Sequence, residues 1–181
     1  MIIQLCGLSG AGKTTIAGQV QQLARQSGLE VIIIDGDQYR KTLCKDLGFS
    51  KADRSENLRR LTGLAHRYSS AGKIALISAI HPYQEIRKEL KSRYPDIKTV
   101  FIDCPINILI QRDTKGLYKR ALLPDEHPEK LHNLTGLGDR FDAPENPDLH
   151  LQTNLISIKQ AAKLLLDFIM AHTTNHRNKS V

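Results

Sequence analysis

Eight consecutive residues, Gly7-Leu8-Ser9-Gly10-Ala11-Gly12-Lys13-Thr14, fit the pattern GxxxxGK[ST] at every fixed position. They follow a short apolar run (2–6) and open an amphipathic helical pattern (13–26), which is the context this motif needs to act as a phosphate-binding loop. Glycines let backbone N–H groups turn inward around phosphate oxygens, and the helix N-terminus adds its partial positive charge. Lys13 is placed to bridge β- and γ-phosphates, and the Thr14 hydroxyl to ligate Mg²⁺, with Thr15 completing the loop. The expected ligand is a nucleoside triphosphate.

A second run ends in carboxylates, Val31-Ile-Ile-Ile-Asp35-Gly36-Asp37. Carboxylates at the C-terminal end of a parallel strand face the crevice where open α/β sheets bind ligands. Asp37 is expected to orient hydrated Mg²⁺ or to accept a proton from an attacking hydroxyl. Asp35 either shares that task or caps the segment that follows. Asp103 closes a further apolar run and is a rival, although Pro105 suggests a simple strand-to-helix turn there.

The elements that must position these groups alternate along the chain. Strands are expected at 2–6, 31–34, 74–78, 99–102 and, with a weaker pattern, 149–152; each is short and continuous, as in parallel strands covered on both faces. Helical patterns fall at 13–26, 50–71, 82–93, 106–112 and 156–171, with Pro82 at a first helical turn and Gly28 and Gly72 as stops. The fold class is therefore α/β, a P-loop NTPase-type doubly wound parallel β-sheet flanked by helices. Residues 1–172 are expected to form a single kinase domain. Within it the stretch 114–147 lacks an apolar period and is expected to be a lid; 173–181 is expected to be a flexible tail.

More specific motifs follow the second strand. Asp35-Gly-Asp-Gln-Tyr-Arg40, Leu47-Gly-Phe49-Ser, Asp53-Arg54-Ser-Glu56-Asn57-Leu-Arg59-Arg60 and Arg112-Asp-Thr-Lys115-Gly-Leu-Tyr-Lys119 occur in order. Together with Thr135-Gly136 and Ala143-Pro-Glu145-Asn-Pro147, the chain from about residue 2 to 153 resembles the adenylylsulfate (APS) kinase family. The resemblance implies transfer of the ATP γ-phosphoryl group to the ribose 3′-hydroxyl of adenylylsulfate, with Mg²⁺, in a cytoplasmic homodimer. Carried over by position, Asp37, Arg40, Phe49, Arg54, Asn57, Ile80 and Lys115 contact the acceptor nucleotide. Asn133 and Leu134 stand in the lid beside it, and Lys13, Asp37 and Arg54 carry the chemistry. Phe49 offers a face for a base, and Arg40 and Arg54 can hold an anionic phosphosulfate by bidentate contacts. Arg112 and the stretch near Pro144–Asn146 are candidates for contacting the ATP base.

Three departures touch the acceptor side. Where the family commonly reads Ser-Leu-Ile-Ser-Pro-Tyr, this chain reads Ser78-Ala-Ile-His81-Pro-Tyr83, so a phosphoserine at that position is impossible; His81 itself is a candidate acceptor contact. The lid motif Lys-Gly-Phe-Thr-Gly is here His132-Asn133-Leu134-Thr135-Gly136, which trades an aromatic for an aliphatic face. The segment between Tyr118 and Thr135 is also about five residues longer than in the relatives compared. A kinase of the same chemistry on a cytidine diphosphate derivative is thus an alternative, and a non-catalytic nucleotide-binding regulatory module a more distant one.

Composition sets the outer limits. The 181 residues contain no apolar run near the roughly 20 needed to span a bilayer and no secretory leader, so no membrane partner is expected. Three cysteines without CxxC spacing argue against a disulfide framework or a structural zinc site. The net charge of +7 is concentrated between Arg40 and Arg67, where eight basic residues face three acidic ones. Such a patch suits a polyanion, and a small phosphorylated substrate accounts for it without nucleic acid.

Overall fold

The computed structural model describes residues 1–177. Its strands are β1 (Ile2–Cys6), β2 (Val31–Asp35), β3 (Ile74–Ser78), β4 (Ile97–Asp103) and β5 (Leu149–Gln152). They form one parallel sheet in the order β2-β3-β1-β4-β5. The helices are α1 (Lys13–Gln26), α2 (Gly36–Tyr39), α3 (Lys51–Ser70), α4 (Gln84–Arg93), α5 (Ile106–Arg112), α6 (Leu117–Ala121) and α7 (Ile158–Arg177).

Side chains of β1 alternate between two cores, which is why its run is apolar throughout. Ile3 and Leu5 pack with Ile16 and Val20 of α1 and with Leu165 and Ile169 of α7. Ile2 packs the other way, with Leu58 and Leu61 of α3 and Ile86 and Leu90 of α4. Both faces of the sheet are thus covered by helices, the doubly wound arrangement that the alternating pattern predicts. Local signals set the helix ends. The Ser50 hydroxyl accepts from the Asp53 N–H to start α3, and Gly28 (φ 69°) follows the last turn of α1.

Several expectations are corrected. Pro82 does not open a helix: α4 begins at Gln84, and the Asp142 carboxylate accepts from the Gln84 N–H at 2.9 Å while Pro82 O accepts from the Asp142 N–H at 2.7 Å. The cap thus comes from a residue almost sixty positions away, a partner that local pattern does not reveal. The stretch 114–147 is not irregular throughout, because it contains α6. Asp113, whose carboxylate accepts from the N–H groups of Tyr118 and Lys119 at 3.0 and 2.8 Å, fixes that five-residue helix. In the expected tail, α7 continues to Arg177, so 173–177 is helical; 178–181 lies outside the described residues. Among the described residues no helix is long and apolar enough to cross a membrane.

The carboxyl ends of β1, β2 and β3 open on one crevice. β1 runs straight into the phosphate loop there, and β2 into α2.

Candidate active site

The phosphate loop wraps the N-terminus of α1 as its sequence requires. Gly12 has φ 100°, a left-handed conformation that favours glycine. At Gly7 a side chain is excluded, since a Cβ would sit 2.2 Å from the Ile102 carbonyl oxygen of β4. Lys13 Nζ donates to Gly7 O at 2.8 Å and Leu8 O at 2.7 Å, so its ammonium lies folded against the loop. Burial pushes the Lys13 pKa down to about 8. Two side chains brace the loop from outside. Tyr118 Oη donates to Ser9 O at 2.9 Å and Thr153 Oγ1 donates to Ala11 O at 3.0 Å. Neither was singled out from the sequence. Tyr118 was visible only as a letter of the Lys115–Lys119 motif, and Thr153 carried no local signal.

Thr14 Oγ1 donates to Asp35 Oδ2 at 2.8 Å and lies 2.9 Å from Ser78 Oγ. Asp35 Oδ1 meanwhile accepts from the N–H groups of Asp37 and Gln38, capping α2. Asp35 therefore does both things that sequence reasoning held as alternatives. Asp37 stands apart: its side chain is 75% exposed and its Oδ2 pairs with Lys115 Nζ at 2.5 Å. Among the described residues no group of three His, Cys, Asp or Glu side chains gathers to hold a metal alone. The hydroxyl and carboxylate oxygens of Thr14, Asp35 and Ser78 are hard donors that fit Mg²⁺ carried in largely by phosphates and water. The residue beside Thr14 is Asp35; Asp37 faces the lid.

A single cavity of about 770 Å³ joins this loop to the expected acceptor side. Ser9, Gly10, Ala11, Gly12, Lys13, Thr14 and Thr15 line one part, with Arg112 and Ile158 beyond them. Asp37, Phe49, Arg54, Ile80, Lys115, Asn133 and Leu134 line the rest. Phe49 is 52% exposed, with the Arg40 guanidinium 4.3 Å from its ring centroid and that of Arg54 at 5.4 Å. Arg54, on the first turn of α3, is only 9% exposed; it donates to Phe49 O at 2.9 Å and to Asn133 O at 2.7 Å. Lid and α3 are thus in direct contact across the cavity.

Five of the expected site residues are not on the cavity wall. Gly7 and Leu8 lie behind the loop, Leu8 packing against Gly136 of the lid. Arg40 is drawn aside, donating to Leu47 O and Gly48 O at 3.2 and 2.8 Å while stacking on Phe49. Asn57 is 5% exposed with its Oδ1 unpaired. His81 is fully buried at a positive φ of 52°, its Nδ1 lying 3.1 Å from Ala79 O and its Nε2 without a partner. Burial pushes its pKa down to about 4, so the ring is neutral. Its carbonyl accepts from Arg87 Nη1 at 2.6 Å and from Cys6 Sγ at 3.4 Å. Asp103, the rival carboxylate, lies 2.9 Å from His150 Nε2 at the edge of the sheet.

The family model for adenylylsulphate kinase matches residues 1–152. The chain belongs to that family. Over 168 residues it is 42% identical to the adenylyl-sulfate kinase of Deinococcus deserti, covering 93% of this chain and 90% of the relative. It is 41% identical to the adenylyl-sulfate kinase of Chloroflexus aurantiacus, over 92% of this chain and 87% of the relative. The Mycobacterium tuberculosis APS kinase CysC, solved with AMPPNP and APS, superposes with a TM-score of 0.84 at 36% identity, over 93% of this chain and 96% of its own.

Within this APS kinase frame the basic stretch is accounted for. Arg59 Nε and Nη2 donate to Glu89 at 2.7 and 2.8 Å, Arg60 Nη1 and Nη2 to Asp46 at 2.7 and 2.9 Å, and Lys51 pairs with Glu85. Part of the excess is thus paired with carboxylates, while Lys41, Lys45 and Arg67 are exposed and Arg54 faces the cavity. Leu134, where the family aromatic is expected, is 6% exposed and belongs to the core as well as to the cavity wall.

Proposed function

We propose that this chain transfers the γ-phosphoryl group of ATP to the ribose 3′-hydroxyl of adenylylsulfate, giving 3′-phosphoadenylylsulfate. The observation that carries the reading is the one continuous cavity, with a phosphate loop in one half and an aromatic–arginine wall in the other. Its volume suits two nucleotides meeting end to end. The enzyme is an ATP-dependent phosphotransferase with a hydroxyl acceptor, and the relatives at 42 and 41% identity favour adenylylsulfate over a cytidine acceptor.

Phosphoryl transfer through a loose transition state asks the protein for positioning and charge rather than strong base chemistry. Lys13 leaves the Gly7 and Leu8 carbonyls for the β/γ-oxygens when ATP enters. Thr14 and Asp35 would hold Mg²⁺, which would supply neutralisation of charge on the transferring group. Phe49 and Leu134 clamp the acceptor base, Arg54 takes its phosphosulfate, and Asp37 with Lys115 borders the acceptor hydroxyl. Residues 114–147 act as the lid, whose closure excludes water and suppresses ATP hydrolysis. Direct in-line transfer needs no phosphorylated residue at position 81. A cytoplasmic homodimer belongs to the same proposal, and light scattering of the purified chain reads its assembly.

The test is Mg²⁺-dependent ADP release with adenylylsulfate, with cytidine diphosphate derivatives and with no acceptor. Saturable turnover with adenylylsulfate is expected. Turnover confined to a cytidine acceptor, or equal rates with and without acceptor, overturns the proposal.

A further inference from the structure

One carboxylate joins three elements around the acceptor wall. Asp139 Oδ2 lies 3.1 Å from Arg54 Nε on α3, and the same oxygen accepts from Tyr83 Oη, just ahead of α4, at 3.0 Å. Its backbone closes the lid turn: the Asp139 N–H donates to Leu134 O at 3.1 Å, and Asp139 O accepts from the Gly136 N–H at 2.7 Å. The turn so closed carries Leu134 and, next to it, Asn133, whose carbonyl takes the other end of Arg54 at 2.7 Å. Arg54 is thus held at Nε, which also donates to Phe49 O at 2.9 Å, and at Nη2. Tyr83 is 2% exposed, and burial together with the Asp139 carboxylate pushes its phenol up to about 12, so it acts only as a donor.

We propose that Asp139 is a positioning residue for acceptor binding, fixing the Arg54 guanidinium and the Leu134 face together so that the acceptor meets a preformed wall. This inference rests on the kinase reading above. The polar contacts of the network lie on the acceptor half, and the turn meets the phosphate loop through the apolar packing of Gly136 on Leu8. A partly buried charged pair is geometrically stricter than a neutral one, so replacing the carboxylate should loosen Arg54 without removing it. The signature is separable from general damage: the acceptor KM should change while the ATP KM does not.

The experiment measures steady-state kinetics of wild type, Asp139→Asn, Tyr83→Phe and the double variant, with ATP and adenylylsulfate varied in turn and thermal unfolding recorded for each. Asp139→Asn should raise the adenylylsulfate KM roughly tenfold and leave the ATP KM within about twofold, as loss of one charge-assisted pair predicts. Tyr83→Phe should give a smaller rise in the same constant. The double variant should fall short of the product of the two, because both act through one carboxylate oxygen. An unchanged adenylylsulfate KM in Asp139→Asn, or equal rises in both KM values, overturns the inference while wild-type turnover upholds the kinase reading. Failure to fold in Asp139→Asn shifts the decision to Tyr83→Phe, where an unchanged acceptor KM overturns it. Wild type without adenylylsulfate-dependent turnover overturns the kinase reading and this inference with it.

Discussion

Asp35 and Thr14 are joined by a 2.8 Å hydrogen bond between the end of β2 and the start of α1, while the second oxygen of Asp35 caps α2. One carboxylate therefore ties the strand carrying the DGD motif to the hydroxyl expected at the metal. Asp37, two residues on, is exposed and faces Lys115.

That geometry separates the two aspartates experimentally. Asp35→Asn keeps a capping oxygen but removes a charge next to Thr14. It should lower Mg²⁺-dependent turnover by roughly 100-fold or more, the scale of losing one electrostatic stabiliser of a transferring group. Asp37→Asn should cost less in kcat and alter chiefly the acceptor KM, through Lys115. Titrating Mg²⁺ against initial rate checks the pair, since only Asp35→Asn should raise the Mg²⁺ concentration needed. A raised Mg²⁺ requirement confined to Asp37→Asn would return the metal role to Asp37.

Tyr118 offers a test of the loop's support. Its hydroxyl is buried and, among the described residues, its hydrogen-bond partner is the Ser9 carbonyl. Tyr118→Phe leaves that carbonyl unpaired and should lower stability by about 1–2 kcal/mol. Because the phosphate loop loses a brace, ATP affinity measured by calorimetry should fall several-fold while acceptor affinity holds. A stability loss with unchanged ATP affinity would make Tyr118 a core residue only.

Much of this was legible because the informative signals are local. The loop motif, the β-branched runs and the helix stops at Gly28 and Gly72 depend on neighbours a few residues away, and β1, β3, β5, α1 and α5 fall where the pattern puts them. What escaped depends on partners far along the chain. The Asp142 cap on α4, the Thr153 brace on Ala11 and the Tyr83–Asp139 contact join residues more than fifty positions apart. α6 is too short for periodicity to show. Residue type alone also does not show that Arg40 donates to backbone carbonyls or that His81 is buried outright. Sequence leaves Asp35 between two roles because it does not show that the two oxygens point in different directions, one to Thr14 and one to the α2 N–H groups.

Lys13 predicts a proton-linked step. In the free protein its ammonium is buried against two carbonyls and its pKa is pushed down to about 8. ATP phosphates favour the charged form, so binding should restore the proton where the free protein has lost it. ATP binding should take up about half a proton at pH 8 and close to one by about pH 9, and affinity should fall with rising pH. Calorimetry in buffers of different ionisation enthalpy reads the uptake directly. Lys13→Met should abolish it, and equal uptake in wild type and variant would assign the proton elsewhere.

His81 makes the acid limb of stability testable. A histidine held neutral, with a folded pKa of about 4 against an ordinary value of 6.5, binds fewer protons folded than unfolded between those two values. Stability is therefore unaffected by this group above about pH 6.5 and is lost progressively as pH falls toward 4, by roughly 3 kcal/mol for a gap of that size. Denaturant unfolding of wild type from pH 7 to pH 4 should show this loss on top of the carboxylate contribution. His81→Gln keeps a polar side chain of similar reach but cannot titrate. It should start less stable at pH 7, because the histidine is packed at 0% exposure, yet lose less on acidification, so that the two curves converge. Parallel curves over that range would show that the buried ring is protonated without cost, and the neutral state inferred from its surroundings would be wrong.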